Sequence, residues 1–425
     1  MHASSTRVPI LVLLLALVGC SSGEEPGTDE SAGPDTTDAP TFAEDVAFLE
    51  QHGSVHVMEA PSGGRVATSA AFQGRVMTSA VGPNGRSLGW VNREFIASDT
   101  SGTAFDNYGG EDRFWLGPEG GQYGLYFPAP EAYDPDRAEE LFTLGNWQVP
   151  PELQEGRWTL ERRTDSSVTY ARQMRVQNVR GTVFQVRVDR TIRLLGPVEV
   201  GKHWGEQPNQ AIDWVAYETI NRITNIGDAA WTRESGLLSV WILGQYEPFG
   251  TSWVVIPYRG ERDPAMVTDA YFGSVPDDRL AVRDGYVLFK ADGQYRSKIG
   301  VGPDRAVPVL GSYNRSQRLV TVLSYSDPQA DAPYVNSLWR HQDAPYAGSA
   351  VHSYNDGPPE PGEPALGGFY ELETSSRALA LEPGEAHTHV HRTLHVTGPR
   401  THLDAITEVA LGVPGEEIAE GIPAE

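Results

Sequence analysis

Cysteine is all but missing. Cys20 is the only one in 425 residues, so no disulfide can staple the chain to itself, and a fold of this length has to hold by burying a core. Positive charge is scarce as well. With 33 Lys and Arg against 57 Asp and Glu the formal charge is −24, which argues against nucleic acid, since binding it depends on neutralising phosphates with cations. The same surplus argues against contact between the folded part and anionic lipid headgroups. The apolar stretch Val8 to Val18 is shorter than the roughly 20 residues a membrane-spanning helix needs. Also missing are a nucleophile elbow, a Walker loop, a dinucleotide fingerprint and Cys/His zinc spacing. No cofactor and no metal are expected.

What the amino terminus does have is Arg7, the short apolar run, and then Leu17-Val18-Gly19-Cys20. A charged residue, a brief hydrophobic segment and a small residue before the cut are the layout of an exported leader. The lone cysteine falls on the position a lipoprotein leader requires. Residues 1–19 are therefore read as a signal peptide, and Cys20 as the first mature residue, acylated with palmitate-type chains, several of which together anchor firmly. Ser21 stands where an Asp would favour inner-membrane retention in enteric-type sorting, which favours the outer membrane. Residues 20–40 follow as an acidic tether. They carry six acids and no base, too little apolar surface to offset chain entropy.

From residue 41 onward strand signals dominate, and residues 41–425 are read as one domain. Val55 to Met58, Arg65 to Ser69 and Arg75 to Thr78 read as short hairpin strands. Arg157 to Arg163, Ser167 to Val176, Val183 to Leu195 and Trp214 to Thr224 alternate apolar and polar side chains. The texture returns at Leu237 to Leu243, Ser252 to Ile256, Tyr286 to Lys290, Arg318 to Ser324, Gly368 to Thr374, Ala378 to Leu381 and His387 to Val396. Helical periodicity is clear only at 42 to 52 and at His402 to Leu411, the latter a C-terminal helix. With 45 Gly, 31 Pro and no βαβ alternation, an all-β sandwich is the expected class. Ser353 to Pro364 reads as a long loop between strands.

Three phrases resemble the galactose mutarotase-like (aldose 1-epimerase-like) superfamily. They are Tyr217 to Asp228, a strand ending in Thr-Asn and a Gly-Asp turn; Tyr370-Glu371-Leu372-Glu373-Thr374; and Leu381-Glu382-Pro383-Gly384-Glu385 followed by His387 to Val396. Gly109 to Gly124 is similar to a phrase in an uncharacterised bacterial lipoprotein branch of that fold. The resemblance implies a large antiparallel β-supersandwich and a carbohydrate ligand. It also implies Glu373 as the base that removes a sugar's anomeric proton. The family's histidine phrase after the mid-chain strand has no counterpart in residues 229 to 250, where Trp241, Gln245, Tyr246 and Glu247 stand instead.

The candidate site residues follow. Glu371 and Glu373 lie two apart, so a strand puts both on one face, where repulsion can divide them into an ionised base and a protonated acid. A solvated strand face is the competing account. Glu111, Asp112, Arg113, Trp115 and Gln122 join carboxylates, a guanidinium and aromatic rings, the chemistry sugar hydroxyls and CH faces call for; a structural turn with an internal ion pair is the alternative. His352 and Asn355, in the long loop, and Trp241 are further candidates for ligand contact. His387, His389 and His391 alternate on one strand face, an arrangement more often surface than metal site. A membrane-anchored lipoprotein that binds a carbohydrate and acts on it through Glu373 is the expected function, with a non-catalytic glycan-binding or structural envelope lipoprotein as the alternative.

Cys20→Ser is expected to block acylation and lipobox processing, leaving the protein unprocessed or released. Mass spectrometry of the mature amino terminus checks it: a terminus other than acylated Cys20 contradicts the leader assignment.

Overall fold

Val183–Leu194 shows how the alternating pattern becomes structure. Phe184, Val186, Val188 and Ile192 are buried on one side of the strand, and Gln185 stands exposed on the other. In this computed structural model residues 39–82 and 84–422 are described. The signal peptide, Cys20 and nearly all of the tether lie outside them. Among the described residues no helix is long and apolar enough to cross a membrane.

Among the described residues strands make up 37% and helices 15%, so the class is all-β, a layered antiparallel sandwich. Ten strands form the larger sheet. Its order is Leu280–Arg283, Tyr286–Ala291, Ser252–Pro257, Val309–Asn314, Leu319–Tyr325, Ala386–Thr397, Asp213–Asn225, Val183–Leu194, Ser167–Gln177 and Thr159–Arg163. Six strands form the second, in the order Val267–Thr268, Ser297–Val301, Val351–Asn355, Tyr370–Ser375, Ser239–Tyr246 and Arg113–Gly117. Every pairing in both is antiparallel. A third, three-stranded sheet of Val55–Glu59, Arg65–Ser69 and Arg75–Ala80 matches the hairpins read near the amino terminus.

The two large sheets bury their facing sides together. Ile299, Val301, Val351 and Leu372 of the smaller sheet share a core with Val254, Phe289, Leu310 and Leu323 of the larger. Val255, Leu288, Val320 and Val322 face the other way and are covered by Leu403 and Leu411 of the Arg400–Leu411 helix and by Ile418 of Gly415–Glu420. The Phe42–His52 helix begins as predicted and carries a capping box, Thr41 Oγ1 accepting from Glu44 N while Glu44 Oε2 accepts from Thr41 N at 2.8 Å.

Several strands escaped the sequence reading. Arg113–Gly117, Ser297–Val301, Val309–Asn314 and Val351–Asn355 are short and buried on both sides, so none shows the apolar-in, polar-out contrast that marks a half-exposed strand. The expected loop at Ser353 to Pro364 therefore starts only at Asp356, and His352 and Asn355 are strand residues. Ala378 to Leu381, expected as a strand, is irregular and makes only one isolated bridge, Leu379 to Leu238.

Polar groups also sit deep between the layers. Arg190 occupies a buried position of its strand and pairs with Asp112 at 2.5 Å, both fully buried. Asp112 also accepts from Thr219 Oγ1 at 2.9 Å. Thr374 Oγ1 lies 2.9 Å from both His389 Nε2 and His391 Nδ1, which ties the two sheets through a hydroxyl and two imidazoles. Burial holds both rings neutral, His391 down to about 4.

Asp112→Asn is expected to leave Arg190 as an uncompensated buried cation and to cost about 3–5 kcal/mol of stability. Urea unfolding measures it, and a loss under about 1 kcal/mol, the scale of an exposed pair, contradicts the role assigned to this ion pair.

Candidate functional site

Strand parity decides which side chains meet on the outer side of the six-stranded sheet. Tyr370, Leu372 and Thr374 point toward the larger sheet, so Glu371 and Glu373 point away from it. Register then sets their neighbours. His352 lies opposite Glu373, and Tyr354 lies opposite Glu371. Across the next strand Glu373 faces Leu243, which in turn faces Arg113, while Trp241 faces Trp115. On the other flank Lys298 pairs with Tyr354. One face thus gathers Lys298, His352, Tyr354, Glu371, Glu373, Trp241, Arg113 and Trp115.

Each of the two glutamates has a cation. Glu373 Oε2 accepts from Lys298 Nζ at 2.9 Å and from Trp241 Nε1 at 2.8 Å. Glu371 Oε1 accepts from Arg113 Nη2 at 2.7 Å. The guanidinium of Arg113 lies over the Trp115 ring, 4.1 Å from its centroid. His352 Nδ1 is 3.9 Å from Glu373 Oε2, too far for a hydrogen bond.

Burial splits the ionisation of the pair. It would raise Glu373, but the Lys298 ammonium and the Trp241 indole outweigh it and hold that carboxyl below its usual range. Burial raises Glu371 to about 8, since Arg113 offsets only part of it and the neighbouring Glu373 charge adds to it. The pair is thereby split, Glu373 favouring the carboxylate and Glu371 the protonated acid. Burial, helped by the nearby Lys298 charge, takes His352 down to about 3, so it is a neutral imidazole. Burial also lowers the affinity of Lys298 for its proton, yet Glu373 and Glu119 more than restore it.

Over this face lies a cavity of about 120 Å³. Its floor is Arg113, Trp115, Trp241, Lys298 and Glu371, and its walls come from loops carrying Phe105, Glu119, Trp147, Phe272, Arg296 and Trp339. Trp147 and Trp339 are stacked, 6.1 Å between centroids, and Trp147 Nε1 donates to Glu119 Oε1 at 2.9 Å. Such rings beside buried charges suit a small polar ring with apolar faces. Among the described residues no group of three or more His, Cys, Asp or Glu is placed to hold a metal.

The sequence candidates divide. Arg113, Trp115, Trp241 and Glu371 border the cavity. Glu373 and His352 lie one layer behind it, Glu373 fully buried beneath Lys298 and Trp241. Glu111 and Asp112 are on the wrong side to meet a ligand there. Glu111, which precedes the Arg113–Gly117 strand, accepts from Ser79 N at 3.0 Å. Asp112 serves Arg190, because Asp112 and Arg113 are consecutive in an extended chain and face opposite ways. Gln122 is structural, its amide bonded to the Gln342 backbone at 2.8 and 3.1 Å, which fixes the loop that carries Trp339. Asn355 is structural too, accepting from Asp292 N and Gly293 N at 2.8 and 2.9 Å. Lys298, Glu119, Arg296, Phe105 and Trp147 were missed. Lys298 offers one signal, a charged residue inside the otherwise β-compatible run Ser297 to Val301, and the loop residues offer none.

Glu371 gives a testable pH signature. Its folded pKa, about 8, lies above its ordinary 4.5. The stability this lends is therefore complete below pH 4.5 and is lost as pH rises through 8. Glu371→Gln removes the titration, so the stability of wild type relative to the variant should fall across that window and level off above it. Urea unfolding over the same range checks this, and a flat or rising difference contradicts a protonated Glu371.

Solved structures similar to this chain include a protein from Escherichia coli K12 provisionally named an aldose 1-epimerase, with TM-score 0.48 and 13% identity over 81% of this chain and 99% of that one. A galactose mutarotase related enzyme from Lactobacillus acidophilus gives 0.44 and 10% over 81% and 98%. A galactose mutarotase-like protein from Lactobacillus casei gives 0.42 and 10% over 81% and 100%. By name these fall in the group whose motifs the sequence resembles. No curated protein matches the chain. Residues 40–422 match the model of a family of unknown function, DUF6786, and the chain belongs to that family.

Proposed function

We propose that this chain is an exported lipoprotein, anchored through Cys20 to the cell envelope and most naturally to the outer membrane, that binds a sugar ring in the aromatic cavity over the six-stranded sheet. We also propose that it acts on that ring by acid/base chemistry of the Glu371/Glu373 pair. One observation carries the reading: a protonated carboxyl, Glu371, stands on the floor of an aromatic-lined cavity beside a carboxylate, Glu373, that Lys298 keeps ionised.

Opening or cleaving a sugar acetal needs a proton delivered to an oxygen. Glu371 holds such a proton at neutral pH and borders the cavity. The roles expected from sequence shift accordingly. Glu373, set behind the floor, keeps Lys298 in place and its charge adds to the burial that favours the protonated form of Glu371, while Glu371 is the group within reach of a ligand. Trp115, Trp241 and Trp339 offer faces for the ring to stack on.

A non-catalytic glycan-binding lipoprotein is the second reading. What favours it is that the carboxylate Glu373 is already held by Lys298 at 2.9 Å, which makes it a weaker base, and that Arg113 at 2.7 Å already takes one oxygen of Glu371.

Glu371→Gln is expected to lower turnover of a sugar substrate about 100-fold or more, the usual loss on removing a general acid, with binding retained by tryptophan fluorescence. Glu373→Gln should shift the basic limb of the kcat/KM profile to lower pH, because Glu371 then loses the charge that helps raise it. Absence of turnover by wild type on every sugar tested, with binding that Trp115→Ala weakens, selects the binding-only reading. Sugar binding that neither variant nor Trp115→Ala alters contradicts both.

A further inference from the structure

The cavity wall offers hydrogen-bond donors in excess of acceptors. Arg113 is buried to 2% exposure and uses Nη2 on Glu371, yet its Nε and Nη1 have no partner. Beside it the Trp115 indole Nε1 is buried and equally unpartnered. Arg296 lies over the Phe272 ring, 4.0 Å from its centroid, with its Nε buried and donating to nothing. Buried donors left without acceptors cost free energy that a bound group can recover.

The acceptors on the same wall are fewer and partly engaged. Glu371 Oε1 takes Arg113, and Glu119 Oε1 takes Trp147, which leaves one oxygen on each carboxyl. A neutral sugar hydroxyl both gives and takes hydrogen bonds, so a donor-rich wall suits it poorly, whereas a carboxylate or phosphate only accepts and gains most from charged donors. The setting sharpens this point. In a chain of net charge −24, long-range fields repel anions, yet this cavity sets Arg113, Arg296 and Lys298 against Glu119 and Glu371; Lys298 is paired with Glu373, so Arg113 and Arg296 are the cations with donors to spare.

We infer that the ligand is an acidic sugar, a single ring bearing a carboxylate or a phosphate, with its anion held by Arg113 and Arg296 and its ring stacked among the cavity's tryptophans. This rests on the sugar-binding reading above and names the substrate class of the same site. The cavity of about 120 Å³ lies below the roughly 300–1,000 Å³ of drug-sized ligand sites. It therefore takes one ring, a monosaccharide or the end of a chain. Burial also favours the protonated form of Glu371, which removes one competing negative charge from the floor.

Isothermal titration of the full chain tests the inference. The probes are galacturonate, glucuronate, mannuronate and the corresponding 6-phosphates, each against its neutral hexose, with inorganic phosphate and acetate as controls for the bare anion. At least one acidic sugar should bind about tenfold or more tighter than its neutral counterpart, the scale of a charge-assisted hydrogen bond. Whether uronates or phosphates lead identifies the source of the charge. Arg113→Gln should erase the preference, and Arg296→Gln, at a less buried position, should weaken it even if Arg113→Gln does not fold. Neutral hexoses binding as tightly as the acidic ones overturns this inference and leaves sugar binding standing. Inorganic phosphate or acetate binding as tightly as the acidic sugar overturns it too, since the ring would then contribute nothing. Binding of no sugar at all overturns both.

Discussion

Lys298 and Glu373 meet at 2.9 Å with the carboxylate fully buried, and a charge pair at that depth has to be complete, since stripping one partner costs about 3–5 kcal/mol. Much of the outer face of the six-stranded sheet follows from that constraint. The pair bridges two strands that are not neighbours, Ser297–Val301 and Tyr370–Ser375, across Val351–Asn355. The Trp241 indole, donating to the same oxygen, brings in a third strand. Burial drives a second carboxyl two residues away to keep its proton, the fixed Glu373 anion adds to that, and Arg113 only partly relieves it. The ionisation pattern of the site is therefore a consequence of how its charges are packed.

Strand parity separates the structural polar groups from those available to a ligand. Asp112 faces Arg190 in the layer between the sheets, while Arg113, its neighbour, faces Glu371 and the cavity. In the same way Thr374 holds His389 and His391 on the inner side, and Glu373, its neighbour, holds Lys298 on the outer side. At Gly109 and Gly110 the chain enters this region with φ of +84° and +114°. A Cβ at Gly109 would come within 2.3 Å of the Trp90 carbonyl, so glycine is required for the turn that leads into the Arg113–Gly117 strand.

Period-two reasoning on Tyr370 to Thr374 was enough to put Glu371 and Glu373 on one face, and long half-exposed strands such as Val183–Leu194 were legible nearly to the residue. What sequence could not supply was which face of a fully buried strand looks at a cavity. Local sequence groups Glu111 and Asp112 with Arg113 as ligand contacts; strand parity turns Asp112 to Arg190, and Glu111, ahead of the Arg113–Gly117 strand, turns to Ser79 N. Lys298 stayed invisible because its partner is 75 residues away in the chain. Trp147, Phe105 and Trp339 reach the cavity on loops, whose course depends on contacts such as Gln122 with Gln342 that no local pattern announces.

The central claim is that one cavity, floored by Glu371 and Arg113 and walled by tryptophans, is where a sugar sits. A crystal structure of the protein soaked with a uronic acid tests it most directly. The account predicts a ring packed against Trp115, Trp241 or Trp339 with an oxygen within about 3.2 Å of Glu371 and its carboxylate against Arg113 or Arg296. A sugar bound instead in the apolar groove between the Pro197–Trp204 and Arg400–Leu411 helices, with this cavity unoccupied, would contradict it.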